Sequence, residues 1–472
     1  MQEELVSLFT AYTGEPDPVV EALPSSGSNR RYFRLRKDGL SIIGVRGESR
    51  EENRAFVALS RHFCRQGLNA PEVFAVSDDG ACYLQRDLGD VNLFDCIRGG
   101  RLSGVFSRDE RVLLHRTVAM LADFQVRGAQ GLDFGVCYPL PEFNSRSVYW
   151  DLNYFKYSFL KTTGMDFRED LLENDFDRMA GILPENRSET FMYRDFQSRN
   201  VMLVDGEPFF IDFQGGRRGP VHYDVASFLW QAKAGFPEEL RNELIRTYIE
   251  SLRKYRRVDE AAFLKRLRGF VLFRTLQVLG AYGFRGYFEK KPHFIQSVPF
   301  ALNNLRDLLR EDFEEYPYLC GLLREMTELK QFAGFGKRGL EVRVCSFAYK
   351  RGIPEDASGN GGGYVFDCRA INNPGKYERY NGVTGLDEPV IRFLEEDGEM
   401  PEFLDSIYPL VDRHVKRYMD RGFTDLMISF GCTGGQHRSV YAARKTAEHL
   451  FGKFGVKVSL VHREQNLEQV FG

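Results

Sequence analysis

The chain of 472 residues sets 64 Lys and Arg against 67 Asp and Glu, and a formal charge of −3 gives no global pull toward nucleic acid or an anionic membrane surface. Hydrophobic residues make up 43% and charged residues 28%, the balance of a globular protein with material for two or three domains, and no run of about 18 apolar residues offers a membrane span. Eight scattered cysteines without a C-x-x-C pair or zinc spacing, and an acidic opening MQEELVSLFTAYTGEPDP, lead us to expect reduced thiols, no secretory leader and a cytoplasmic location.

In chain order, SNRRYFRLRKDGLSIIGVRG alternates apolar and polar residues around Asp38-Gly39 and predicts a hairpin. SREENRAFVALSRHFCRQG has helical periodicity with an acidic first turn. ACYLQRDLGD reads as a strand running into a turn. Residues 101–325 read mostly as helix, interrupted by FMYRDFQSRNVMLVDGEPFFIDFQGG, which predicts two short strands around Asp205-Gly206. Periodicity stops and glycine density rises at AGFGKRG, so a linker is placed at 333–339 between domains 1–332 and 340–472. Beyond it, LEVRVCSFAY reads as a strand and SGNGGGYVFDCR as a glycine loop entering a strand. The strand DLMISFG, the loop after it, the helix RSVYAARKTAEHLFGKFG and the strand VKVSLVHRE describe a β-α-β unit.

Within the interruption, Asp195 is followed after four residues by Asn200, and twelve residues later by Asp212 at the end of an apolar strand. Phosphoryl transfer needs one carboxylate to orient a hydroxyl and accept its proton, and oxygen ligands to hold Mg²⁺ against phosphates. Asp195 suits the first role, and Asn200 and Asp212 the second. Read singly, each is also an ordinary turn residue. The ordered pieces GSNRRYFRLR, YLQRDLGD, RDFQSRN, IDFQ and GPVHYDVASFL resemble the aminoglycoside phosphotransferase and choline kinase family over roughly 1–325. They are most similar to anomeric amino-sugar kinases acting on N-acetylmuramate and N-acetylglucosamine. The resemblance implies a bilobal α+β kinase-like domain, with a small β-rich N-lobe, a helical C-lobe and ATP between them. It also implies a sugar acceptor, Gln85 at the nucleotide hinge, and Arg194 and Asp224 supporting the catalytic loop. Tyr193-Arg194 stand where the family has a histidine. The phosphate-reading lysine has no obvious counterpart, and at its strand SIIGVRG offers Arg46, for which Glu52 is the expected partner.

Near the C-terminus, GCTGGQHRSVY places Cys432 six residues before Arg438, the spacing of a cysteine phosphatase cradle. Gly434 and Gly435 can turn N–H groups inward, the following helix adds its N-terminal dipole, and Arg438, His437 and Ser439 can add donors. Thr433 completes the loop. Phosphate binding, phosphatase chemistry and a glycine turn without a ligand all fit this pattern. A phosphatase also needs an acid on a mobile loop; no clear candidate exists, and Asp367 lies in a strand-like segment. SFAYKRGIP, YVFDCRAINNP, TGLDEPVIRFLE, GCTGGQHRSVYAAR and HRE resemble, in order, the RapZ C-terminal domain of RNase adapters over 340–466. This implies an α/β domain in which the loop is part of a sugar-phosphate pocket. RNA is a further partner of that family, but this chain lacks its basic tail and residues 341–472 carry a slight acidic excess, so only weak, salt-sensitive RNA binding is expected. The competing reading is a regulator of RNA or protein with an inactive kinase domain.

Overall fold

A computed structural model describes residues 2–23, 30–184, 188–295, 297–329, 340–356, 358, 362–421 and 423–471. They form two units, the first running to Lys290 and resuming at Phe300–Glu328, the second comprising Lys291–Pro299 and the residues from Leu329 onward. The linker expected at 333–339, and the glycines at 27 and 361, lie outside the described residues.

The first unit opens on a five-stranded antiparallel sheet in the order β1-β2-β3-β5-β4, built from β1 (Val19–Ala22), β2 (Arg31–Lys37), β3 (Leu40–Arg46), β4 (Val73–Val76) and β5 (Cys82–Arg86). The predicted hairpin is present: Lys37 pairs with Leu40, and Asp38 and Gly39 have φ of 47° and 85°. Positive φ at both central positions is what the right-handed strand twist demands of a two-residue turn. Alternation then sorts the side chains. Leu35, Ile42, Cys82 and Leu84 face one side and bury Leu5 and Phe9 of the helix Gln2–Thr13. At Gly44 a Cβ would lie 2.7 Å from the tip of Leu35 and 3.1 Å from that of Leu5, so a larger residue would push these side chains aside where the helix seats. Tyr83 faces the other way and stacks at 5.1 Å on Phe56 of the helix Arg50–Arg65. Ser49 caps this helix by accepting the Glu52 N–H.

The rest of the unit is helical, with Arg108–Arg127, Ser145–Ser158, His222–Leu229, Glu238–Arg253 and Glu260–Gly283 as its main helices. Two ribbons interrupt them. β6 (Phe191–Met192) pairs with β9 (Arg217–Arg218), and β7 (Val201–Val204) pairs with β8 (Glu207–Phe210). Asp205 and Gly206 again have positive φ, 53° and 78°.

The second unit is a five-stranded α/β sheet in the order β11-β12-β10-β13-β14: β10 (Glu341–Ala348), β11 (Tyr364–Asp367), β12 (Asp425–Cys432), β13 (Lys457–His462) and β14 (Leu467–Phe471). β10 lies between β12 and β13 and is parallel to both, so the predicted β-α-β unit crosses over a third strand. β14, not foreseen, runs antiparallel along the edge. Val344, Ile428, Phe430 and Leu460 form one core with residues of Glu388–Glu396, Glu399–Arg421 and Arg438–Phe454. All eight cysteines are free thiols. Among the described residues no helix is long and apolar enough to cross a membrane.

Candidate functional site

The ribbon β7–β8 brings the two expected ligand residues together. Asn200 donates through Nδ2 to the Asp195 carbonyl at 2.9 Å and to Asp212 Oδ2 at 3.3 Å. Phe213 anchors the chain beside Asp212. It is buried, stacks on Phe56 at 4.9 Å and meets Phe63 edge-on at 5.1 Å. Asp212 itself is held at φ 69° and Arg194 at φ 81°, a left-handed conformation that non-glycine residues take at a cost of about 1–2 kcal/mol each. Arg194 immediately precedes Asp195, and Asp212 is joined to it through Asn200. Burial, and then the Asp195 charge, raise the Asp212 carboxyl above its ordinary range, while a hydrogen bond from Gln214 and the charge of Arg30 oppose the shift.

Asp224 holds the backbone just before Asp195. It accepts from the N–H groups of Tyr193 at 2.8 Å and Arg194 at 2.9 Å and from Gln125 Nε2 at 2.7 Å. Burial pushes its carboxyl up to about 6 against these bonds. Arg194 reaches the other way to Asp151 at 2.8 Å. This backbone is thus held by one carboxylate through its N–H groups and by another through the Arg194 side chain.

Asp195 is half-exposed. Gln197 Nε2 donates to its Oδ1 at 2.6 Å and Arg274 approaches it at 3.3 Å. Arg274, Gln197, Trp230, Gln231, Tyr282 and Asn304 line a pocket beside it. Two of them, Arg274 and Gln197, touch Asp195 directly, so a ligand in the pocket meets a carboxylate at its rim.

The expected Arg46–Glu52 pair does not form. Arg46 shares a face of β3 with Ile42 and Gly44, the face covered by Gln2–Thr13, and it pairs there with Glu4. Glu52 instead holds Arg30 at 3.0 Å. Arg30 is buried, lies 5.7 Å over the Phe56 ring, and its charge acts on Asp212. Arg30 lies within GSNRRYFRLR but is not singled out by the sequence, because its partner Glu52 is 22 residues away. Gln85 is buried opposite Ile43, and its Oε1 has no hydrogen-bond partner.

In the second unit the loop after β12 is closed on itself. Cys432 Sγ accepts the Gly435 N–H at 3.2 Å and lies 3.1 Å from the Ser439 hydroxyl. Gly435 has φ 66°, and a Cβ there would sit 2.4 Å from Glu464 and 2.9 Å from the Ala348 nitrogen. His437 Nε2 is 3.3 Å from the Tyr380 carbonyl. Arg438 is buried and donates through one terminal nitrogen to the carbonyls of Arg369 at 2.9 Å and Ile371 at 2.6 Å. It therefore does not present its whole fork to a ligand, because backbone acceptors at the end of β11 claim part of it. Thr433 and Gly434 are exposed. The loop lies at the carboxyl ends of parallel strands, where open α/β sheets bind ligands, beside Arg369 and, through Glu464, beside Arg351 and Arg463. Arg351 and Arg463 pair with Glu464 at 2.8 and 2.9 Å, and Arg369 pairs with Asp367 at 2.6 Å.

Residues 19–261 match the phosphotransferase enzyme family, and residues 340–466 match the RapZ C-terminal domain. A nucleotide-binding protein of Thermotoga neapolitana is 28% identical over 311 residues, covering 66% of this chain and 95% of its own. One from Geobacillus kaustophilus is 37% identical over 143 residues, covering 30% of this chain and 46% of its own, so the chain spans less than half of that relative. A choline/ethanolamine kinase family protein of Mesorhizobium loti, known as a solved structure, is 13% identical with a TM-score of 0.44, covering 69% of this chain and 98% of its own.

Proposed function

The chain belongs to the phosphotransferase enzyme family, and from that premise we propose that its first unit transfers the γ-phosphoryl group of ATP to a hydroxyl of a sugar, with an amino sugar as the acceptor. The observation that carries this reading is the junction of Asp195, Asn200 and Asp212 beside a pocket lined by Trp230, Tyr282 and side-chain amides. Aromatic faces and amides suit the apolar ring faces and the hydroxyls of a sugar.

The acceptor hydroxyl lies in the pocket and gives its proton to Asp195 as its oxygen bonds to the γ-phosphorus. The bond from that phosphorus to the β–γ bridging oxygen breaks, and ADP departs with the electron pair. Gln197 and Arg274 fix the Asp195 carboxylate for this step. Asn200 spends its amide nitrogen on protein acceptors, which leaves its carbonyl oxygen, with the partly buried Asp212 carboxylate, as a hard-oxygen pair for Mg²⁺. That cation, when bound, neutralises phosphate charge. The unpaired Gln85 Oε1 offers an acceptor to a base amino group. Arg30, buffered by Glu52, takes the place of the phosphate-reading lysine.

Two expected results follow. Arg30→Met should raise KM for MgATP roughly 10- to 100-fold, the worth of a hydrogen bond to a charged group, whereas Arg46→Met should not, as steady-state kinetics will read. An ADP-release screen of the full chain over a sugar panel, with Mg²⁺ and with EDTA, tests the activity. Release with a sugar and Mg²⁺ supports the reading, and none with any sugar, joined to failure to bind MgATP, ends it.

The second unit, a RapZ C-terminal domain, is proposed to bind a sugar phosphate at the β12 loop without hydrolysing it. The closure of Cys432 inside its own turn supports binding over nucleophilic chemistry. The fused pair then makes a phosphorylated sugar and reads one.

A further inference from the structure

At the carboxyl end of the second unit's sheet, two thiols stand on neighbouring strands. β11 pairs with β12 in parallel, with Phe366 opposite Phe430 and Asp367 opposite Gly431. The ladder continues one rung further, because the Cys368 N–H donates to the Gly431 carbonyl at 2.8 Å. That bond sets Cys368 beside Cys432. Alternation puts both on the face of Phe366 and Phe430, whose rings meet at 5.4 Å. Both cysteines belong to the same core, Cys368 fully buried and Cys432 3% exposed. Neighbouring strands lie about 4.8 Å apart, within the roughly 4.4–6.8 Å between Cα atoms that a disulfide spans, although its Cβ atoms favour about 3.8 Å. A bond between the two thiols therefore needs a local shift and remains reducible. Burial, and then the Cys432 thiol, push the Cys368 thiol up, against the charge of Arg438. A protonated, buried thiol is inert, so Cys368 waits for its neighbour to react first. Cys432 is the one near solvent, since Thr433 and Gly434 beside it are exposed.

We propose that Cys368 and Cys432 are a peroxide-oxidised pair whose disulfide reshapes the loop after β12. The Cys432 thiolate attacks one oxygen of hydrogen peroxide, the O–O bond breaks, and water leaves as Cys432 becomes a sulfenic acid. The Cys368 sulfur then attacks the Cys432 sulfur. The S–S bond forms, the S–O bond breaks, and the hydroxyl departs as water with the Cys368 proton. In sum, two thiols give up two electrons and two protons, and one peroxide becomes two waters. The disulfide draws the Cys432 sulfur away from the Gly435 N–H, now at 3.2 Å, and from the Ser439 hydroxyl, now at 3.1 Å. The loop thereby loses the contacts that close it. This chemistry goes beyond the sugar-phosphate reading and does not depend on which ligand the loop takes.

The test treats the reduced full chain with hydrogen peroxide under native conditions, alkylates the remaining thiols and maps the digest by mass spectrometry. A peptide linking Cys368 to Cys432, cleaved by dithiothreitol, is expected. In Cys368→Ala the link is lost, and Cys432 should proceed to the sulfinic acid; if that variant fails to fold, the wild-type link alone decides the pairing. Hydrogen exchange across 432–439 of the wild type should quicken several-fold on oxidation, as a lost hydrogen bond predicts, and return on reduction. Oxidation confined to other cysteines, such as the exposed Cys96, overturns the pair, as does oxidised Cys432 with no link to Cys368. A link that leaves exchange at 432–439 unchanged overturns the effect on the loop.

Discussion

Asp195→Asn should reduce kcat for phosphoryl transfer roughly 10²- to 10⁴-fold, the usual share of a positioned general base. Asparagine keeps the size and the hydrogen bond from Gln197, but it cannot take the hydroxyl proton and it removes the charge paired with Arg274. Asp195 is half-exposed, so thermal stability should barely change. KM for MgATP should also hold, because Asn200 and Asp212 remain. Steady-state kinetics with thermal denaturation separates these readouts. Near-wild-type kcat would place the proton acceptor elsewhere. A joint loss of stability and activity would make Asp195 structural.

The second large effect belongs to the other unit. Arg438→Ala should destabilise it by about 1–3 kcal/mol, since the buried Ile371 carbonyl and the partly buried Arg369 carbonyl lose a charged donor. The loss is local to the join between β11 and the helix Arg438–Phe454. Hydrogen exchange of the full chain, read on peptides spanning 364–371 and 438–454, should quicken. Cys432→Ser, which keeps a small polar atom facing the Gly435 N–H and Ser439, should cost far less. Unchanged exchange in Arg438→Ala, together with lost binding of glucosamine-6-phosphate, would instead make Arg438 a ligand donor alone.

What the sequence displayed was local. Asp38-Gly39 and Asp205-Gly206 announce their hairpins because few residues tolerate positive φ. The helix Arg50–Arg65 shows as apolar periodicity behind an acidic first turn. The spacing Asp195–Asn200–Asp212 is legible because a single short ribbon connects the ligands. What stayed hidden depends on contacts distant in sequence. Which cation Glu52 takes is decided by strand parity: Arg46 faces the first helix and finds Glu4, which leaves Arg30 to Glu52. Arg438 reads as a phosphate fork because backbone carbonyls have no sequence signature. β14 was missed since an exposed edge strand such as LEQVF lacks a buried alternating face.

The most direct measurement is ³¹P NMR of the full chain incubated with MgATP and the sugar panel. The account predicts a new phosphate monoester resonance that appears with an amino sugar, grows in step with ADP, and is absent in Asp195→Asn. No ester with any sugar, from a protein that binds MgATP weakly or not at all, would contradict it.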